Sequence, residues 1–141
     1  MSFPYMVADE NREKDYVKGR PPPIEVGNIT LWITELGLFL RAKNRNHLGL
    51  KPHGIARPAN NATALAKTEY AKMVDEWETR NDTCISMIHE AVKENTEALE
   101  IFQQYLSEKE ALPDNAANKA ERSQEILEKL KLRFSGEIQD E

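Results

Sequence analysis

The sequence predicts an all-α fold, a bundle of four to five helices with a flexible, proline-rich N-terminal arm. Apolar residues recur at helical spacing along the chain, and no two alternating stretches are joined by a hairpin turn. Glycine is scarce, at 6 of 141 residues, and aromatic residues make up 7%, which argues against a barrel or sandwich of short strands. A chain of this length can form one domain that buries about two thirds of its unfolded surface.

The chain divides into an arm, a helical domain and a short tail. Residues 1–27 show no sustained periodicity, and the three consecutive prolines at 21–23 favour an extended polyproline conformation. We therefore expect an extended arm over 1–27, a helical domain over 28–136 and a tail over 137–141.

The first helix begins near Asn28 or Thr30, since either side chain can cap it. Its buried face is predicted by four apolar residues at i, i+4, i+7 and i+8, namely Trp32, Leu36, Phe39 and Leu40. A long loop follows over 44–61, where glycines and prolines interrupt regular structure. A loop of this length is either functional or disordered.

Three further helices are predicted after the loop. Asn60 or Asn61 can cap a long one, whose apolar stripe continues without a phase break through Tyr70, Met73, Val74, Trp77, Cys84, Ile85, Ile88, Ala91 and Val92. A shorter helix starts near Asn95 or Thr96 and buries Leu99, Phe102 and Leu106. The last helix, which Gly136 can end, carries Ala120, Ser123, Leu127, Leu130 and Phe134 on one side.

Large apolar residues on these stripes are predicted to share one core, because aromatic and aliphatic side chains at helical spacing dominate core packing. The predicted core residues are Trp32, Phe39, Trp77, Ile88, Leu127, Leu130 and Phe134.

Charge is distributed unevenly along the chain. The net charge is −5, which argues against a general nucleic-acid binder, yet residues 36–68 contain six basic residues and no acidic one. This stretch is a candidate surface for a polyanion or for assembly, through Arg41, Lys43, Arg45, Lys51 and Arg57. The alternative is that these side chains only keep a long loop solvated.

The sequence predicts neither catalysis nor a bound metal or cofactor. It has no glycine-rich phosphate-binding motif and no nucleophile elbow. His47, His53 and His89 have too few potential ligands near them to form a zinc site. Cys84 and His89 lie about 140° apart around a helix, so we do not expect a nucleophile–base pair.

The cellular compartment is indicated by the low number of cysteines and by the lack of long apolar runs. Cys84 is the single cysteine, no apolar run approaches the ~20 residues that span a bilayer, and residues 1–14 contain no apolar signal segment. We expect a cytoplasmic protein that makes no membrane contact.

Three segments of the sequence occur in an order that a known family shares. Residues 27–32 and 39–42 are similar to the Gly-x-Asn-Tyr-x-x-Trp opening of copia-type Gag polyproteins of LTR retrotransposons, and to the Phe-Leu pair that ends the same helix in that family. Residues 76–88 resemble its second element, in which a tryptophan precedes an aspartate and a small-apolar-x-x-Ile run. Residues 123–134 resemble the third element. The chain departs from the family at two positions: Ile29 in the first segment stands where the family usually has tyrosine, and Leu127 in the third stands where it usually has tryptophan.

The resemblance covers roughly residues 24–136 and implies the N-terminal capsid domain of a Gag protein. Such domains are structural, associate with copies of themselves and form virus-like particles that package RNA. The implied partner is thus a second copy of the chain, with weak RNA or polyanion contact through the basic stretch. A second hypothesis is an intracellular helical adaptor that binds a partner peptide or helix in an apolar groove beside the first helix.

Overall fold

A computed structural model of the chain describes residues 20–135, which form four α-helices and no β-strand. The all-α prediction is therefore confirmed. The helices are α1 (Ile29–Ala42), α2 (Ala64–Val92), α3 (Thr96–Glu110) and α4 (Ser123–Ser135), with short 3₁₀ helices at Val26–Asn28 and Asn46–Leu50. Most of the predicted arm, Gly136 and the predicted tail lie outside the described residues.

Side-chain caps start the first three α-helices. The side-chain oxygen of Asn28 accepts the amide N–H of Leu31 at 3.2 Å, and Asn95 caps α3 in the same way through Ala98 at 2.9 Å. The cap predicted for α2 at Asn60 or Asn61 is wrong. Residues 59–62 form a turn, and Thr63 caps the helix instead.

The hydrophobic core is one cluster to which all four helices contribute. Six of the seven predicted core residues lie in it, namely Trp32, Phe39, Ile88, Leu127, Leu130 and Phe134. Trp77 is also buried, at 9% exposure, but it lies outside the cluster. The expectation of a single core for all seven is therefore not met for Trp77, which packs against the chain that follows α1.

Two helix faces differ from the expected ones. The residues that α3 buries are Ala98, Phe102 and Tyr105, whereas the predicted Leu99 and Leu106 are half-buried at the edge of this face. Helix α4 begins at Ser123, so Ala120 precedes it and is exposed.

The last part of the predicted arm belongs to the folded domain. Pro21 is buried, and the indole N–H of Trp32 donates to the carbonyl of Pro22 at 2.9 Å. The amide of Ile24 donates to the carbonyl of Ala91, also at 2.9 Å. These bonds attach the chain to α1 and α2 before residue 28, where the predicted helical domain begins.

The N-terminal part of helix α2, before Trp77, contains no fully buried residue. The helix starts at Ala64, and its buried residues begin only at Trp77. The predicted stripe over this part is not buried, since Met73 is 49% exposed and Tyr70 and Val74 are half-buried. Across residues 20–135, no helix is both long and apolar enough to cross a membrane.

Candidate functional site

The first half of the predicted loop over 44–61 contains the 3₁₀ helix Asn46–Leu50, so it is not wholly without regular structure. Side chains of α2 and α4 donate hydrogen bonds to four backbone carbonyls of this segment. The pairs are the Arg80 guanidinium with Asn44, the Cys84 thiol with Asn46 at 3.0 Å, the Ser123 hydroxyl with Gly49 at 2.9 Å and the Trp77 indole with Lys51 at 2.7 Å. The segment is thus attached to two helices through its own backbone.

Gly49 allows the segment to approach α2 closely. A β-carbon at this position would lie 2.5 Å from both the carbonyl carbon of Arg80 and the backbone nitrogen of Asn81. No other residue type fits without moving the helix or the segment. The sequence suggested Gly49 as a break in regular structure, but its role is to permit this contact.

A buried polar bridge joins α2 to the start of α4. Asn81 is 1% exposed, its side-chain oxygen accepts the amide N–H of Ser123 at 2.9 Å, and its side-chain nitrogen donates to the carbonyl of Glu121 at 2.9 Å. Sequence reasoning missed Asn81. Its position between Trp77 and Cys84 on the buried face of α2 is the signal that could have found it, because a buried amide needs partners.

The chain reverses after α1 through two left-handed residues. Asn44 and Arg45 have φ angles of 59° and 58°. A non-glycine residue in this region costs roughly 1–3 kcal/mol and persists only when its surroundings hold it there. Here the bonds to the carbonyls of Asn44 and Asn46 provide that support.

Four side chains around this turn form what we call the basic cluster, namely Arg41, Arg45, His47 and Lys51. Burial lowers the pKa of His47 below its usual value, and the positive charges of Arg45, Arg41 and Lys51 lower it further. Three of the five predicted basic residues therefore act on one imidazole, which the sequence did not single out for this role.

The remaining two predicted residues do not join the cluster. Lys43 is half-buried, and Arg57 is exposed farther along the connection to α2. Neither is among the charges that act on His47.

The three cations of the basic cluster favour an anion. The Nδ1 atom of His47, between them in sequence, is buried and has no hydrogen-bond partner. Arg41, Arg45 and Lys51 are exposed, and none of them forms an ion pair with a carboxylate between residues 20 and 135. The cluster thus holds positive charge that the described part of the chain leaves without a paired carboxylate.

A cavity of about 270 Å³ lies next to the cluster, beside Trp77. The Arg122 guanidinium lies over the indole ring, 4.7 Å from its centroid, and pairs with Glu78 at 3.0 Å. The His53 ring meets the same indole edge to face, with centroids 5.3 Å apart. Lys51 also lines this cavity, so the two features adjoin.

A larger groove of about 540 Å³ lies between α3 and α4. Inside it, the Tyr105 hydroxyl donates to Glu125 at 2.5 Å, and the Lys109 ammonium lies 3.2 Å from the same carboxylate oxygen. Burial and the bond to Glu125 raise the pKa of Tyr105. Burial alone would raise the pKa of Glu125, but the bonds from Tyr105 and Lys109 and the charges of Lys109 and Arg122 lower it.

The nucleophilic and metal-binding chemistry of the described residues is limited. Burial raises the pKa of Cys84 to about 12, so its thiol is protonated at neutral pH and acts as a hydrogen-bond donor. Within residues 20–135, no group of three His, Cys, Asp or Glu side chains could hold a metal ion.

Comparisons with known proteins identify no relative of this chain. No family model, no curated protein and no solved structure matches it.

Proposed function

We propose that this chain is a structural domain that associates with copies of itself, a Gag-like capsid domain of an LTR retrotransposon or a captured derivative. The observation that carries the proposal is the packing of the three segments that resemble the family. Trp32 and Phe39 from the first, Ile88 from the second, and Leu130 and Phe134 from the third lie in one cluster. Segments scattered over more than 100 residues thus form one core, as the parts of a common domain would.

Exposed apolar residues supply surfaces for contact between copies. Leu31 and Leu38 lie seven residues apart on the outer side of α1, at 48% and 50% exposure. Leu65 and Met73 are exposed on the N-terminal part of α2, before Trp77. Contacts between copies that cover such residues remove apolar surface from water and so favour association.

The basic cluster has a role in this proposal. Copies that meet around a symmetry axis bring equivalent residues together, so that one cation per copy becomes a ring of charge. Repulsion within such a ring opposes assembly, and salt or a polyanion relieves it by screening or by binding. Assembly is therefore expected to increase with salt or polyanion. The protein so described acts in the cytoplasm and is not an enzyme.

An adaptor that binds a partner helix is the second candidate. The groove between α3 and α4 favours it, because exposed Leu132 and half-buried Leu112 line a channel that also contains carboxylates and lysines, among them Glu108, Glu128 and Lys129. A helix that presents apolar residues flanked by charged ones would match this lining. The groove lies on a different side from the one that the sequence suggested, which was beside α1.

Sedimentation velocity and electron microscopy across a salt series test the first candidate. The native protein is expected to form concentration-dependent oligomers or particles, and a variant with Arg41→Glu and Arg45→Glu is expected to assemble differently while keeping its helicity. Lys93→Glu with Lys131→Glu, at exposed positions outside the basic cluster and the groove, makes the same change of charge as a control. A protein that stays monomeric in every condition would contradict self-association.

The adaptor hypothesis predicts a different outcome for the same experiments. It expects a monomer at all salt strengths. It also expects Leu132→Glu to abolish binding of a partner helix without changing sedimentation. Loss of assembly in that variant would instead assign the groove to contacts between copies.

A further inference from the structure

We propose that the basic cluster of Arg41, Arg45, His47 and Lys51 is a binding site for a phosphate group. The proposal concerns a single copy of the protein and does not depend on its self-association. The shared chemistry is that of phosphate oxygens, whether these belong to an RNA strand or to a free phosphate compound.

The backbone fixes the points from which the three cationic side chains extend. Arg41 lies in the last turn of α1, Arg45 in the left-handed turn and Lys51 directly after the 3₁₀ helix. The carbonyl of Lys51 is held by Trp77, and the turn is held by Arg80. These attachments hold the three residues around His47, on which all three charges act, and a bound anion would relieve the repulsion among like charges in this region.

His47 makes the site sensitive to protons through its charge. Its Nδ1 atom is buried without a partner, so a phosphate bound by the exposed cations does not contact that atom. Protonation of the imidazole adds one positive charge beside Arg45, Arg41 and Lys51, and this charge attracts the bound anion. The cations that now disfavour the charged imidazole would then be balanced by the anion, so binding is expected to raise the pKa of His47.

The elements packed against the cluster bring mostly neutral or positive groups to it. From α2 the groups that bond to the segment are the Arg80 guanidinium, the Trp77 indole and the Cys84 thiol, which is protonated at neutral pH. From α4 the neutral hydroxyl of Ser123 bonds to it, and the carboxylate of Glu125, which is paired with Lys109, lies in the cavity that Lys51 also lines. The charges on the imidazole itself come from Arg45, Arg41 and Lys51, all of them positive.

Binding of an oligouridylate of about ten residues to the full chain, at concentrations where it sediments as a monomer, tests the site. Phosphodiesters keep their charge across the range in which histidine titrates, whereas phosphate monoesters change theirs near pH ~6. Affinity is expected to be roughly three- to tenfold higher near pH 5.5 than near pH 7.5. The His47 imidazole signal in NMR spectra is expected to titrate at a higher pH when the oligonucleotide is bound.

Variants separate the site from general attraction to positive charge. Arg41→Gln with Arg45→Gln is expected to weaken binding by about tenfold or more, as the loss of two charge-assisted contacts implies. Arg57→Gln with Lys129→Gln, which makes the same change outside the cluster, is expected to alter it less than twofold by screening arguments. His47→Gln is expected to retain binding near neutral pH and to lose the pH dependence. Circular dichroism checks that each variant is folded.

Tripolyphosphate tests whether phosphate is the unit that is recognised. It is expected to displace the oligonucleotide from the native protein and not to bind the variant that lacks Arg41 and Arg45. Failure to displace it would overturn the proposal, as would equal losses in the two double variants. An unchanged His47 titration on binding would overturn it as well.

Discussion

The side-chain oxygen of Asn81, in the middle of α2, accepts the backbone N–H of Ser123, the first residue of α4, at 2.9 Å. The two residues are 42 positions apart, and both are almost fully buried. The hydroxyl of the same Ser123 donates to the carbonyl of Gly49. One amide and one hydroxyl therefore connect two helices and the segment that carries the basic cluster.

Replacing Asn81 by alanine is expected to destabilise the domain by about 2–4 kcal/mol, because it leaves the buried amide of Ser123 without a partner and removes the bond to the carbonyl of Glu121. Urea unfolding followed by circular dichroism measures the change. Asn81→Asp keeps an acceptor for the amide of Ser123 but loses the donor to the carbonyl of Glu121. This variant is therefore also expected to be less stable than the native protein. Asn115→Ala, at an exposed position, should change little. Equal stabilities for the variants at 81 and 115 would contradict the buried bridge.

Gly49→Ala is expected to cost about 1–3 kcal/mol or more, because the new methyl group would overlap the backbone of α2. Gly37 provides a matched control inside α1. A β-carbon there would have nothing within 4 Å, so Gly37→Ala should stabilise the helix by roughly 0.5–1 kcal/mol. Thermal or urea unfolding of the two variants should therefore show changes of opposite sign. Two changes of the same sign would argue against the close approach at Gly49.

Lys119 caps the C-terminal end of α3. Its ammonium lies 2.8 Å from the carbonyl of Leu112, 3.2 Å from that of Glu110 and 3.4 Å from that of Lys109. Lys119→Met keeps most of the stem but removes the donors and the charge next to the helix terminus, so a loss of about 1–2 kcal/mol is expected. Lys131→Met, on an exposed face of α4, serves as the control in the same unfolding experiment. Amide exchange should also become faster in the last turn of α3.

The pH dependence of stability should carry a contribution from His47. Its pKa is lower in the folded protein than in the unfolded chain, so the unfolded state binds the proton more readily. The stabilisation is thus complete above the unfolded pKa of about 6.5 and is lost as the pH falls below it. His47→Gln should flatten the free energy of unfolding between about pH 5 and 7 relative to the native protein. An identical slope in both proteins would show that His47 does not titrate differently on folding.

Helical periodicity predicted much of the fold because it reports which side of a helix faces the core. The stripe of α1 is an example, since Trp32, Leu36, Phe39 and Leu40 are all fully buried. The same signal misled over the first half of α2. Periodicity states which residues share a face, but it does not say how far along a 29-residue helix neighbouring elements reach. Tyr70 and Met73 share a stripe with Trp77 and yet lie beyond the buried part.

The candidate site was only partly predictable. The run without acidic residues pointed to Arg41, Arg45 and Lys51, because a local charge excess is visible in the sequence. The role of His47 was not visible, since it depends on a turn through two left-handed residues and on burial by other elements. The bonds that hold this segment join residues that lie 26 to 74 positions apart, and no local pattern encodes such pairings.

The N-terminal part of α2, before Trp77, also determines where the chain can be cut without loss of the fold. Cleavage near Lys67 or Lys72 would produce two pieces, one carrying α1 with the basic cluster and the other carrying the rest of α2 with α3 and α4. The break would fall where the helix buries no residue, while the core contacts and the bridge through Asn81 and Ser123 would still join the pieces. The domain should thus be reconstituted from two separately expressed fragments, and a short insertion near residue 68 should be tolerated.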